Sequence, residues 1–200
     1  YLFKKRNIMD FDLLFGEFPE HILPYDYDAY FSSPGRYVMV TTNCRTGRAN
    51  YFEEKKDKKR IIDIVRASSS LPYVCPITYV DDVPMLDGGI VDSIPLLRSM
   101  EDGNEKNVVV LTRNRGYRKT SKDMKIPHFI YKKYPRLRVA LSNRCKAYNQ
   151  QLEMVERLED EGKIHVIRPE KPVVVDRIEK DVNKLRDFYQ EGYECAKKMF

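Results

Sequence analysis

What this chain lacks narrows its class before any motif is considered. No apolar run approaches the ~20 residues needed to cross a bilayer, and neither a signal peptide, an internal repeat nor a low-complexity tract is legible. The four cysteines, Cys44, Cys75, Cys145 and Cys195, are scattered without C-x-x-C spacing or a nearby histidine, which argues against a zinc site. His21, His128 and His165 fall in no metal-ligand or nucleophile motif. We therefore expect no metal, no cofactor and free thiols in a reducing cytoplasm. No stretch reads G-x-S-x-G, the strained elbow that exposes a serine nucleophile. Recognisable nucleic-acid-binding motifs are absent as well.

What is present describes a soluble globular protein: 200 residues, 42% hydrophobic and 33% charged, enough for one substantial core. The chain opens on Tyr1, which fits a fragment or a processed product. Residues 1 to 36, punctuated by Phe18-Pro19, Leu23-Pro24 and Ser33-Pro34-Gly35, read as a long, partly ordered loop region. Buried strands are expected at Tyr37-Val38-Met39-Val40, Val83 to Leu86, Asn107 to Thr112 and Ile164 to Ile167. Between them, Ile61, Ile62 and Val65 mark a helix from Lys55 to Arg66. A second helix should begin beyond Ser93, capped by it, with Pro95 in its first turn, and close at Gly103. Two long helices follow. Leu141, Cys145, Tyr148, Leu152 and Val155 form one core stripe; Ile178, Val182, Leu185, Tyr189, Gly192, Ala196 and Met199 form another, with Asp176 and Glu179 as its capping box. Strands alternating with helices predict a parallel sheet covered on both faces, with functional loops at the carboxyl ends of its strands.

At one such end stands Leu86-Asp87-Gly88-Gly89-Ile90-Val91-Asp92-Ser93-Ile94-Pro95. It pairs a carboxylate with two residues that allow φ > 0 or close backbone approach. Together with Thr41-Thr42-Asn43-Cys44-Arg45-Thr46-Gly47, Ala67-Ser68-Ser69-Ser70-Leu71-Pro72 and Pro76, this ordered set resembles the carboxyl-terminal half of patatin-like phospholipases, closest to the bacterial branch. The resemblance spans about residues 10 to 115. It implies a three-layer α/β/α sheet, incomplete because the amino-terminal strands are missing, with a helical carboxyl-terminal part. It further implies a lipid acyl hydrolase working through a Ser-Asp dyad without histidine. Asp87 of the Asp87-Gly88-Gly89 motif would be the proton acceptor, and the nucleophile and oxyanion loop would lie upstream, so that these 200 residues alone are inactive. On this reading residues 1–134 are the carboxyl-terminal part of the catalytic domain, and residues 135–200 a helix-rich extension packing on it.

Read by itself, Asp-Gly-Gly is also an ordinary turn. Asp81-Asp82 reads as a solvated turn, Asp92 as an alternative helix cap, and Ser68, Ser69 and Ser70 as helix-end hydroxyls. His165 follows Asp87 in the order of a Ser-Asp-His triad, but on a strand, where a triad histidine is not expected. Between Arg113 and Lys146, twelve lysines and arginines oppose one acid, Asp123, although the whole chain carries only +6. Three readings of this stretch stay open. One is a lipid-facing patch led by Arg113, Arg115, Arg118 and Lys119, giving peripheral contact with an anionic membrane; the others are a nucleic-acid patch and a solvated loop. The alternative to a hydrolase is accordingly a non-catalytic module binding anionic membrane surfaces or nucleic acid.

Overall fold

The computed structural model describes residues 10–120, 129–176 and 179–199. Its fold is α/β, with a helical carboxyl-terminal part. Lys122, Asp123, Lys125, His128 and Ile178, which figure in the sequence readings, lie outside the described residues.

Among the described residues, six strands form two sheets. β1 (Met39–Asn43), β2 (Ala49–Phe52), β3 (Thr78–Val80) and β4 (Val83–Asp87) make a four-stranded sheet in the order β2-β1-β4-β3, and every pairing in it is antiparallel. Among the described residues, parallel pairing is confined to β5 (Asn107–Val110) and β6 (Ile164–Ile167). The expected parallel sheet is thus corrected, and two short strands explain the error. β2 and β3 have four and three residues and carry no continuous apolar run, so they left no periodic signal. Both are joined to their partners by tight turns, which enforce antiparallel pairing. In the β3–β4 hairpin, Asp81 and Asp82 sit at φ +50° and +59°. That double left-handed geometry matches the right-handed twist of the flanking strands.

The contact pattern divides the chain into two compact units, one built from residues before Ile94 together with those up to Ala147 in the basic region, the other from residues 94–120 and those after Ala147. In the first unit, helix α2 (Lys58–Ser68) begins where the Asp57 side chain accepts from the Arg60 amide, and it buries Ile61, Ile64 and Ala67. These pack with Met39, Val80 and Met85 beneath the antiparallel sheet. A second cluster gathers Cys44, Leu86, Ile90 and Leu137. Residues expected to be loop are helical: a π-helical segment covers Leu13–Ile22, and α1 (Tyr27–Ser32) is capped by Asp26, which accepts from the Ala29 amide. Tyr27, Tyr30 and Phe31 of α1 pack against the cluster that holds Ile61 and Ile64 of α2, and this tertiary contact sustains so short a helix.

The second unit packs Val109, Leu111, Ile164 and Val166 against Leu152, Val155 and Leu158 from the later turns of α4 (Pro135–Asp160). Its short helix α3 (Leu96–Glu101) starts after Pro95 with no side-chain cap. The Ser93 hydroxyl instead donates to the Gly89 carbonyl at 2.8 Å, which corrects the expected Ser93 cap. Helix α5 (Val182–Lys197) starts later than expected, at a cap formed by Asp181 and not by Asp176. Glu179 accepts from the amides of Lys180 and Asp181, one turn ahead of that cap. The α5 stripe is real in sequence, yet no residue of this helix is buried: Leu185 is 43% and Tyr189 70% exposed.

Candidate active site around Asp87

Asp87 ends β4, where the neighbouring strand and its own turn hold it. The register sets it opposite Thr41 of β1, and its amide donates to the Ser70 carbonyl at 2.9 Å. The Thr42 hydroxyl donates to its carbonyl at 2.8 Å. Thr41, Thr42 and Ser70 are all fully buried, so these bonds are shielded from water. With its main chain held on both sides, the Asp87 side chain turns back as the cap of a 3₁₀ turn, Gly88–Ile90, and its Oδ1 accepts from the Gly89 amide at 2.6 Å. The turn then closes with the amides of Val91 and Asp92 donating to the Gly88 carbonyl.

The glycines serve close approach and not positive φ; neither is left-handed. A Cβ on Gly88 would lie 2.4 Å from the Val40 carbonyl oxygen, and one on Gly89 would lie 3.0 Å from Asp87 Oδ1. β-Carbons do not tolerate 2.4 Å from a backbone oxygen, so Gly88 is what lets the loop seat against β1. The Gly89 carbonyl accepts from both Ser93 Oγ and Arg144 Nε, the latter at 3.0 Å. Arg144 was part of the basic run in the sequence, and nothing in its spacing pointed to this anchor.

Half-buried Asp87 therefore presents a carboxylate whose position is fixed by its own strand and turn. Buried Cys75 lies within its electrostatic reach: burial pushes the Cys75 thiol up, and the Asp87 carboxylate adds to the rise. That combination keeps the thiol protonated and unsuited to nucleophilic attack. Cys44, with its thiol pushed up to about 12 by burial, is equally inert.

The flanking polar residues separate cleanly. Asp92 is no helix cap; its Oδ2 accepts from the Tyr51 hydroxyl at 2.6 Å. Asp81 does occupy a turn, but its carboxylate is gripped by the Arg60 guanidinium at 2.8 Å. Ser70 Oγ donates to the Arg66 carbonyl, as a helix-end hydroxyl does, whereas Ser68 Oγ reaches the Val40 carbonyl of β1. His165 sits exposed on β6, in the other compact unit from Asp87.

The leading cations of the basic stretch are engaged within the second unit. Arg115 pairs with Asp160 at 2.7 Å and Glu159 at 3.2 Å, and Arg118 with Glu156 at 2.6 Å. The hydrogen bond from Arg118 holds the Glu156 carboxyl down at about 2, with the Gly116 amide contributing. Arg113 lies over the Tyr117 ring at 5.2 Å, and the Lys119 ammonium over the Tyr148 ring at 3.5 Å. Among the described residues, no group of three His, Cys, Asp or Glu side chains could hold a metal ion. Likewise among them, no helix is long and apolar enough to cross a membrane.

Residues 134–200 match a family described as a domain of unknown function, DUF6363. No curated protein matches the chain. Residues 2–98, and with them the whole Asp87 loop, match the family model described as patatin-like phospholipase.

Proposed function

We propose that the protein to which this chain belongs is a lipid acyl hydrolase that cleaves carboxylic esters through an acyl-serine intermediate, with Asp87 as general base. The observation that carries this reading is a half-buried aspartate at a strand end, its main chain held by Ser70 and Thr42 and its carboxylate by the Gly89 amide, inside the segment that matches the patatin-like family. In the first step the carboxylate takes the serine hydroxyl proton as the oxygen attacks the ester carbonyl, and the proton then passes to the departing alkoxide. Water next attacks the acyl-serine, with the same carboxylate accepting its proton and returning it to the serine oxygen as the acyl group leaves as the free acid. A dyad without histidine suffices because one carboxylate performs both transfers.

We assign the serine and its oxyanion donors to a segment outside these 200 residues, since no G-x-S-x-G occurs within them. Residues 1–134 then form the carboxyl-terminal part of the catalytic domain and residues 135–200 its helix-rich extension, in a cytoplasmic enzyme of the bacterial branch. The non-catalytic alternative, docking on anionic membrane or nucleic acid, draws on Arg113, Arg115, Arg118 and Lys119. It is less favoured, because Arg115 and Arg118 already hold carboxylates.

In the complete protein, Asp87→Asn should lower hydrolysis of a p-nitrophenyl ester by ~10² to 10⁴-fold, the usual worth of general-base catalysis, with an unchanged circular-dichroism spectrum. Wild-type turnover by the folded variant would overturn the assignment. The 200-residue chain alone should take no label from a fluorophosphonate probe.

A further inference from the structure

A cavity of about 550 Å³ opens in the first unit, between the π-helical segment, α1 and α2. Its size falls within the ~300 to 1,000 Å³ of small-molecule sites. Phe15, Tyr27 and Tyr30 wall it on one side, and Ile62 and Val65 of α2 on the other. None of its lining residues belongs to the Asp87 loop. Its lining is mostly apolar and ring-bearing, with Lys55 and Arg36 as the two cationic residues in it.

Lys55 is held in place. Its Nζ donates to the Tyr30 carbonyl at 3.1 Å and the Ser33 carbonyl at 3.2 Å, and lies 4.6 Å from the Tyr30 ring centroid. Among the described residues it forms no ion pair, whereas its neighbours Lys58, Arg36 and Arg60 all hold carboxylates. An ammonium has three donors and no acceptor, so two carbonyls leave one N–H and the full charge unneutralised. A half-buried cation beside an apolar cavity calls for an anion joined to an apolar body.

We propose that this cavity binds a single-chain aliphatic carboxylate, with the alkyl chain between Ile62, Val65 and the tyrosine rings and the carboxylate on Lys55. Such a carboxylate is also what ester hydrolysis releases, but the site stands independently of the role given to Asp87.

Titration calorimetry of the 200-residue chain with dodecanoate, below its micellar concentration, should give one site. Dodecan-1-ol, the same chain without charge, should bind about tenfold more weakly, as expected for loss of a charge-assisted hydrogen bond. Lys55→Met should erase that difference, and Ile62→Trp should block binding. Because the tryptophan could disturb folding, methyl NMR of the unsubstituted chain supplies a second readout: the Ile61, Ile62 and Val65 methyls should shift on adding dodecanoate. Unmoved methyls, equal affinity for acid and alcohol, or undiminished dodecanoate binding by Lys55→Met would each overturn the proposal. Asp87→Asn should bind dodecanoate normally, so a failed hydrolase assignment and a failed cavity assignment give different results.

Discussion

Asp87 in the first unit and Glu156 in the second are both part-buried acids, held in opposite ways. Asp87 is positioned by main chain: a strand register, a backbone carbonyl beneath it and a turn amide on its Oδ1. Glu156, near the carboxyl end of α4, accepts from the Arg118 guanidinium and the Gly116 amide. Backbone clamping fixes where the carboxylate sits, and so suits a group that must meet a reacting atom. Clamping by a guanidinium stabilises the charge itself, and so suits a group that holds structure together. The glycines beside them differ in parallel: Gly88 is needed for space, Gly116 for its φ of +79° in otherwise open surroundings.

Three perturbations would sharpen or break this contrast. The largest effect belongs to Gly88→Ala, whose β-carbon would strike the Val40 main chain. Overpacking typically costs ~1 to 3 kcal/mol, and a backbone obstacle places this case at the upper end. Urea denaturation showing a loss below ~1 kcal/mol would mean that the loop is not seated as described.

Next comes pH. Glu156 is held at about 2 by Arg118, below its unfolded value. A depressed folded pKa gives stability that is fully present above the unfolded value and is lost as pH falls through the folded one. The same sign applies to Glu54, held at about 2 by Arg60 and by the amides of Asp57 and Lys56. Thermal melting should therefore fall between about pH 5 and pH 2, and Glu156→Gln should flatten that limb while costing ~1 to 3 kcal/mol at neutral pH. An unchanged acid limb in the variant would refute the ion-pair account.

Smallest is Gly116→Ala, which should cost ~1 kcal/mol from left-handed backbone strain alone. A loss as large as that of Gly88→Ala would erase the distinction between the two glycines.

Much of the framework was legible in the chain. Val108-Val109-Val110 and Ile164 to Ile167 gave their strands through apolar runs, and the Leu152 and Val155 spacing gave the helix that covers them. The Asp-Gly-Gly motif placed a carboxylate at a strand end, where the structure has it. The helices within residues 13–32 escaped because Pro19 and Pro24 read as loop punctuation and Tyr27–Ser32 is only six residues long, and the sheet polarity escaped because β2 and β3 are too short for a pattern. The anchoring of Gly89 by Arg144, 55 residues away, has no local signature at all.

Sequence by itself determined the strand and helix periodicities, the carboxylate beside paired glycines and the excess of cations after Arg113, because each is a property of neighbouring residues. Tertiary structure alone decided that Gly88 serves contact and not φ, that Arg115 and Arg118 face carboxylates on a helix about 40 residues further on, and that Lys55 lines a mostly apolar cavity with no carboxylate on it among the described residues. The physical reason is common to all three. Close packing and charge pairing depend on groups distant in the chain, and only the folded backbone brings those groups within reach.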